Sequence, residues 1–155
     1  MDDLRDLLPR AGPPPETRPT NPHQQLSQNA PQELQETVFE RASALPGVVV
    51  RASLVSVPGA RAFVLAEGPM AGPEAFMAGR EFAHLHPPYD GSLHLVLPEL
   101  VAETVIAAGW GEIHPEARRG LVPANRLMVF GPRDEKELES VWRIIRASHA
   151  QAVGE

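Results

Sequence analysis

Cysteine is absent from all 155 residues of the sequence. Disulfides, zinc ribbons, iron–sulfur clusters and thiolate nucleophiles are therefore excluded. Cationic residues are in deficit, since 14 Lys and Arg stand against 20 Asp and Glu, and the formal net charge is −6. Nucleic acids and anionic membranes bind basic surfaces, so we expect neither as the main partner.

Long apolar runs and known catalytic signatures are missing as well. The longest apolar runs, such as residues 48–50, fall far short of the ~20 residues that span a bilayer. The N-terminus is acidic and no apolar segment follows it, so we expect a cytoplasmic protein. The sequence has no glycine-rich phosphate loop, no G-x-G-x-x-G motif and no G-x-S-x-G nucleophile elbow, which leaves those enzyme classes without support.

Proline, by contrast, is abundant, with 17 residues. Between Pro9 and Pro22 the prolines follow one another with no large apolar residue among them. Proline lacks the backbone N–H and fixes φ, so neither a helix nor a strand ladder propagates here. The composition predicts a flexible proline-rich arm over residues 1–30, with His23 in solvent, or alternatively a polyproline ligand for a partner.

Residues 31–150 are expected to form a single α+β domain. Apolar spacing of three and four residues predicts helices over 32–45 and 98–108 and from Asp134 onward, and alternation predicts strands over 48–57, 61–67, 81–86, 92–97 and 127–130. This order predicts an antiparallel sheet built from two hairpins and a further strand, with helices on one side. The predicted core comprises Leu34, Val38, Leu54, Phe63, Leu65, Leu85, Leu93, Leu95, Val105, Val129, Val141 and Ile145.

The segment 68–80 is rich in glycine and proline and is predicted to be a loop. It nevertheless carries Met70, Phe76 and Met77, which are unusually apolar for a surface loop. We interpret the segment as a lid over a site that takes a small apolar molecule.

The second predicted hairpin carries a cluster of histidines. Residues two apart share a strand face, so Phe82, His84 and His86 are expected on one face. If His86 pairs with Ser92 across the turn, His84 lies opposite His94, with Cβ atoms about 4.5–5.5 Å apart. The opposite face, which carries leucines, is the expected core layer.

Three imidazoles on one sheet face could hold a divalent transition metal and leave a position open for water or substrate. The metal ligands would be His84, His86 and His94. Without a metal, the same histidines could serve as general acid and base, with Asp90, Glu81 and Glu112 orienting or complementing them. A purely structural histidine face is the alternative. The candidate catalytic residues are His84, His86, Asp90, His94, Glu112 and His114.

Several strings of the sequence resemble a known family. They are Glu81–Pro87, Asp90–His94, Gly109–Glu112, His114–Pro115 and Gly131–Asp134. They are similar to the small bacterial and fungal proteins labelled luciferase-domain proteins, over about residues 35–147, with the arm outside. The resemblance places the candidate residues in the family's characteristic strings and implies no particular reaction. The order of elements is also similar to YjbR-type α+β domains, an analogy of fold alone.

Three functional classes follow from these patterns. The first is a small-molecule enzyme, with the histidine face as its active site and a divalent metal as a possible cofactor. The second is a ligand-binding module without chemistry. The third is an interaction protein that binds through its proline-rich arm. The lid-like loop favours the first two classes, and the arm favours the third.

Overall fold

A computed structural model describes the whole chain, from Met1 to Glu155. Its centre is a six-stranded antiparallel sheet in the order β1-β2-β3-β4-β6-β5. The strands are β1 (Val48–Ala52), β2 (Arg61–Leu65), β3 (Glu81–Leu85), β4 (Leu93–Val96), β5 (Gly111–Ile113) and β6 (Arg126–Val129). The helices are α1 (Gln32–Ser43), α2 (Glu99–Ala107), α3 (Pro115–Arg118) and α4 (Glu135–Val153). The predicted α+β fold class is confirmed.

The hydrophobic core lies between the sheet and the helices α1 and α4, which pack together. Helix α4 begins where the Asp134 side chain accepts a hydrogen bond from the Glu137 N–H, and it ends at Gly154 in the left-handed conformation. Val141 and Ile145 of its apolar stripe are fully buried. None of the helices combines the length and the apolar character needed to cross a bilayer.

Strand β1 is shorter than predicted, and one predicted core residue is wrong. The strand ends at Ala52, whose partner is Arg61, and Leu54 is 76 % exposed. The reason is the buried carboxylate of Glu81, which accepts hydrogen bonds from the Leu54 N–H and the Ser53 hydroxyl. These hydrogen bonds end the pairing of β1 with β2 after Ala52, so that residues 53–60 form a loop.

The other predicted core positions are buried or pack against the core. Leu34 is only partly buried, and the rest lie in the core cluster. Phe82 joins them, because its ring packs against His149 of α4 instead of sharing a face with His84 as predicted. In the loop 68–80, Phe76 belongs to the core cluster and Met70 packs against it. Two of the three apolar residues of the predicted lid, Met70 and Phe76, therefore contribute to the hydrophobic core.

The N-terminal segment, residues 1–30, contains no helix or strand, but it packs on the domain instead of lying detached from it. Leu4 and Leu7 join the hydrophobic core. The indole N–H of Trp110 donates to the Leu8 carbonyl oxygen at 2.7 Å. The expectation that His23 is solvated is wrong, since His23 is 4 % exposed. Composition reports on local conformation and carries no signal of these tertiary contacts.

Candidate metal centre

The candidate site lies on the sheet face that carries the histidines. The register places His84 opposite His94, as the sequence predicted, and His94 opposite Met128. Met128 in turn lies opposite Glu112, so a single row of side chains crosses four strands. His86 follows β3, and its N–H donates to the Ser92 carbonyl oxygen, which closes the hairpin in the expected register.

Three ring nitrogens converge at the centre of this face. His94 Nδ1 lies 3.1 Å from His84 Nε2 and 3.0 Å from His86 Nε2. All three residues are buried. These distances follow from the β3–β4 pairing, which sets His84 directly opposite His94 and closes the hairpin at His86. The site is therefore built into the sheet.

The outer nitrogens of His84 and His86 are each held by a buried carboxylate. His84 Nδ1 lies 2.8 Å from Glu81 Oε2, and a bulge beside Phe63 and Val64 in the β2–β3 pairing accompanies the turn of Glu81 onto this face. His86 Nδ1 lies 2.9 Å from Ser92 Oγ, which donates to Asp90 Oδ1, and 3.1 Å from Asp90 Oδ2. Carboxylates that hold the second nitrogen of an imidazole are the usual outer partners of metal-ligating histidines.

The outer nitrogen of His94 is held by a longer relay that reaches into the N-terminal segment. His94 Nε2 lies 2.8 Å from His23 Nδ1, and His23 Nε2 lies 2.9 Å from Glu112 Oε1. Sequence reasoning missed His23 because the segment showed no structural pattern. The segment is held here by Gln25, whose N–H donates to Asp90 Oδ2 and whose side chain accepts from the Gly131 N–H.

The carboxylates of the site are ionised at neutral pH. Burial alone raises the pKa of Glu81, Asp90 and Glu112, but the hydrogen bonds that each receives outweigh burial, and all three pKa values are lowered. Burial lowers the pKa of His84, and burial together with neighbouring imidazoles lowers that of His94 much further. Both rings are therefore neutral at neutral pH.

These carboxylates decide which ring nitrogens carry a proton. An ionised carboxylate only accepts hydrogen bonds, so a proton lies on Nδ1 of His84, on Nδ1 of His86 and on Nε2 of His23. When His23 carries a single proton, its Nδ1 accepts from His94 Nε2–H. In the neutral cluster three bare lone pairs therefore face one another, and a cation among them removes that repulsion.

His114 lies beside the cluster but has a different role. Its Nδ1 accepts a hydrogen bond from the Glu116 N–H at 3.0 Å, so the neutral ring carries its proton on Nε2. Burial and then the nearby His23 lower the pKa of His114 to about 4. His114 is therefore an N–H donor at neutral pH and supplies no fourth lone pair.

A cavity of about 490 Å³ opens onto the cluster. Its polar wall includes His23, His84, His94, His114 and Arg126. Its apolar wall comes from the loop after β1, from Met77 and from Val122. Met77 is thus the one apolar residue of the predicted lid that faces the cavity. A volume of this size suits a small organic molecule.

Comparisons with known proteins agree with the resemblance seen in the sequence. The family model described as "Luciferase domain" matches residues 79–148. The chain is 34 % identical to a protein named "Luciferase" from Armillaria ostoyae, over 94 % of this chain and 60 % of that protein. It is 38 % identical to a "Luciferase" from Neonothopanus nambi, over 44 % of this chain and 27 % of that protein.

The chain spans about 60 % of the length of the Armillaria relatives it matches. Because those alignments cover 94 % of this chain, they reach into the N-terminal segment, and the expectation that the segment lies outside the resemblance is wrong. No solved structure matches the chain, so the likeness to YjbR-type domains stays a prediction.

Proposed function

We propose that the chain is a small-molecule enzyme with a mononuclear metal centre at His84, His86 and His94, starting from the match of residues 79–148 to the Luciferase domain family model. The family relatives named "Luciferase" support an enzyme that acts on a small molecule. The observation that carries the metal is the convergence of three ring nitrogens, His84 Nε2, His86 Nε2 and His94 Nδ1, within 3.1 Å of one another through His94.

The donor set fits a divalent transition metal. Three neutral imidazoles and no thiolate are typical ligands for zinc, copper, iron or nickel. When bound, such an ion supplies Lewis-acid polarisation of a substrate oxygen or an activated water. The carboxylates Glu81 and Asp90 hold two of the rings in the binding tautomer, and the relay from Glu112 through His23 holds the third.

The remaining parts of the site position the substrate and limit solvent. The cavity borders His84 and His94, so a bound molecule lies directly beside the proposed centre. His23 covers the cluster from the N-terminal segment, which makes that segment part of the site wall. We propose that the segment is a fixed component of the enzyme and not a separate binding arm.

The proposal is tested by equilibrium dialysis of untagged protein against Zn²⁺, Co²⁺ and Fe²⁺, followed by elemental analysis. We expect one ion per chain, with saturable binding. His149→Ala provides a matched histidine control, since His149 lies on α4 and bonds the Pro46 carbonyl oxygen away from the site. Protein that retains no ion, or that binds ions without saturation, contradicts the proposal.

The hydrogen-bond relay from Glu112 through His23 to His94 predicts that a substitution in the N-terminal segment lowers the affinity for the metal. His23→Ala removes the acceptor of the His94 N–H, and loss of such outer partners costs about 10–100-fold in metal affinity. We expect a loss near the lower limit, about tenfold, because the ligands themselves remain. His23→Gln, whose side-chain oxygen can accept the same hydrogen bond, should recover part of it.

Metal affinity of these two variants is measured by competition with a chromophoric chelator. Unchanged affinity in His23→Ala, with the fold intact by circular dichroism, would show that His23 does not orient His94. An equal loss in both variants would show that the hydrogen bond is irrelevant and that only the ring's bulk matters.

A further inference from the structure

The cavity contains one cationic side chain that no carboxylate pairs with. Arg126 lies on β6 and lines the cavity, and its guanidinium donates to the Phe76 carbonyl oxygen at 3.3 Å. Other half-buried arginines of the chain do have a carboxylate partner, as Arg133 has in Glu137. A half-buried guanidinium without an anionic partner is costly in a protein of net charge −6 unless a ligand supplies the anion.

A second donor lies directly beside it. The β5–β6 register ends with Ile113 paired to Leu127, and one residue further the His114 N–H donates to the Arg126 carbonyl oxygen at 3.2 Å, which places His114 across from Arg126. Directly opposed residues have Cβ atoms about 4.5–5.5 Å apart, so both side chains project from the same part of the sheet face. His114 Nε2–H has no hydrogen-bond partner in the protein and borders the cavity.

The two groups are suited to the two oxygens of a carboxylate. A guanidinium offers several N–H donors in a planar fork, and the His114 ring, whose Nδ1 accepts from the Glu116 N–H, adds one more through Nε2. The rest of the cavity wall includes Val55, Val57, Met77 and Val122, which favour an apolar body. His84 and His94 border the same cavity, so the body of such a ligand lies next to the proposed metal centre.

We propose that Arg126 and His114 form a carboxylate-binding subsite, and that the substrate is a small apolar molecule bearing a carboxylate group. The inference rests on the proposed function only in taking the cavity as the substrate site. Arg126 and His114 are then residues that determine specificity, and the part of the substrate away from its carboxylate lies beside His84 and His94.

The test compares benzoate with its uncharged methyl ester by isothermal titration of the whole chain, with and without added Zn²⁺. We expect benzoate to bind at least about tenfold more tightly than the ester in both conditions, since one charge-assisted pair is worth this much. Arg126→Met should abolish the preference, Arg126→Lys should keep part of it, and His114→Phe should reduce it.

Arg146→Met is the matched control, because Arg146 is an exposed arginine on α4. Circular dichroism and thermal midpoints establish that each variant is folded, and Arg126→Lys keeps the test valid if Arg126→Met is unstable. Equal affinity for the two probes, no benzoate binding, or a preference unchanged in Arg126→Met would overturn the proposal.

The two proposals fail in different ways in this experiment. A benzoate preference that appears only with Zn²⁺ and survives in Arg126→Met places the carboxylate on the metal and contradicts the subsite alone. A benzoate preference that depends on Arg126, in protein that binds no ion, supports the subsite and contradicts the metal centre.

Discussion

His94→Ala is expected to lower the affinity for a divalent metal by at least about 100-fold, because losing a ligand costs more than the about 10–100-fold typical of outer partners. His94 is the residue that both other ligands face, at 3.1 and 3.0 Å. Its removal leaves His84 and His86 as a two-nitrogen site. Competition with a chromophoric chelator measures the change.

The same variant separates a metal site from a packing residue. Circular dichroism and chemical unfolding should show a stability within about 1–2 kcal/mol of the parent, the range of ordinary substitutions. The control is His149→Ala, which should bind metal as the parent does. If His84→Ala and His94→Ala both unfold while the folded fraction still binds metal with parent affinity, the histidines are packing residues and the site lies elsewhere.

Leu4→Ala is expected to lower the free energy of unfolding by roughly 2–5 kcal/mol, the cost of emptying a fully buried leucine site. Leu4 is 0 % exposed and belongs to the core cluster, although it is the fourth residue of the sequence. The matched control is Leu8→Ala. Leu8 is 62 % exposed, and its loss should cost at most about 0.5 kcal/mol.

Urea unfolding monitored by tryptophan fluorescence measures both variants. Equal, small effects at Leu4 and Leu8 would show that the N-terminal segment is loosely held. Hydrogen exchange adds an independent readout, since the Arg10 N–H donates to the Ala108 carbonyl oxygen and should be protected.

The hairpin at the centre of the site could be predicted because its determinants are local. The alternation of side chains and the turn between His86 and Ser92 decide which residues oppose each other, and the pairing of His84 with His94 follows from them. The same locality explains why Glu81 and Asp90, each a few residues from its histidine, were expected to orient the rings.

The parts of the site that could not be predicted from the sequence depend on contacts between distant segments. His23 reaches His94 across 71 positions of the chain, and no periodicity connects the two. Leu54 was placed in the core by strand alternation, but the Glu81 carboxylate captured its backbone N–H and ended the strand. A buried polar group thus overrode a hydrophobic pattern, and only the three-dimensional structure reveals it.

The most direct test of the account is X-ray absorption spectroscopy of the protein loaded with one equivalent of Zn²⁺. We expect a first shell that includes three imidazole nitrogens at about 2.0–2.1 Å, with the characteristic outer-shell scattering of histidine rings. In His94→Ala the imidazole count should fall to two. A first shell of oxygens alone, or an imidazole count that does not change in His94→Ala, would contradict a metal centre at His84, His86 and His94.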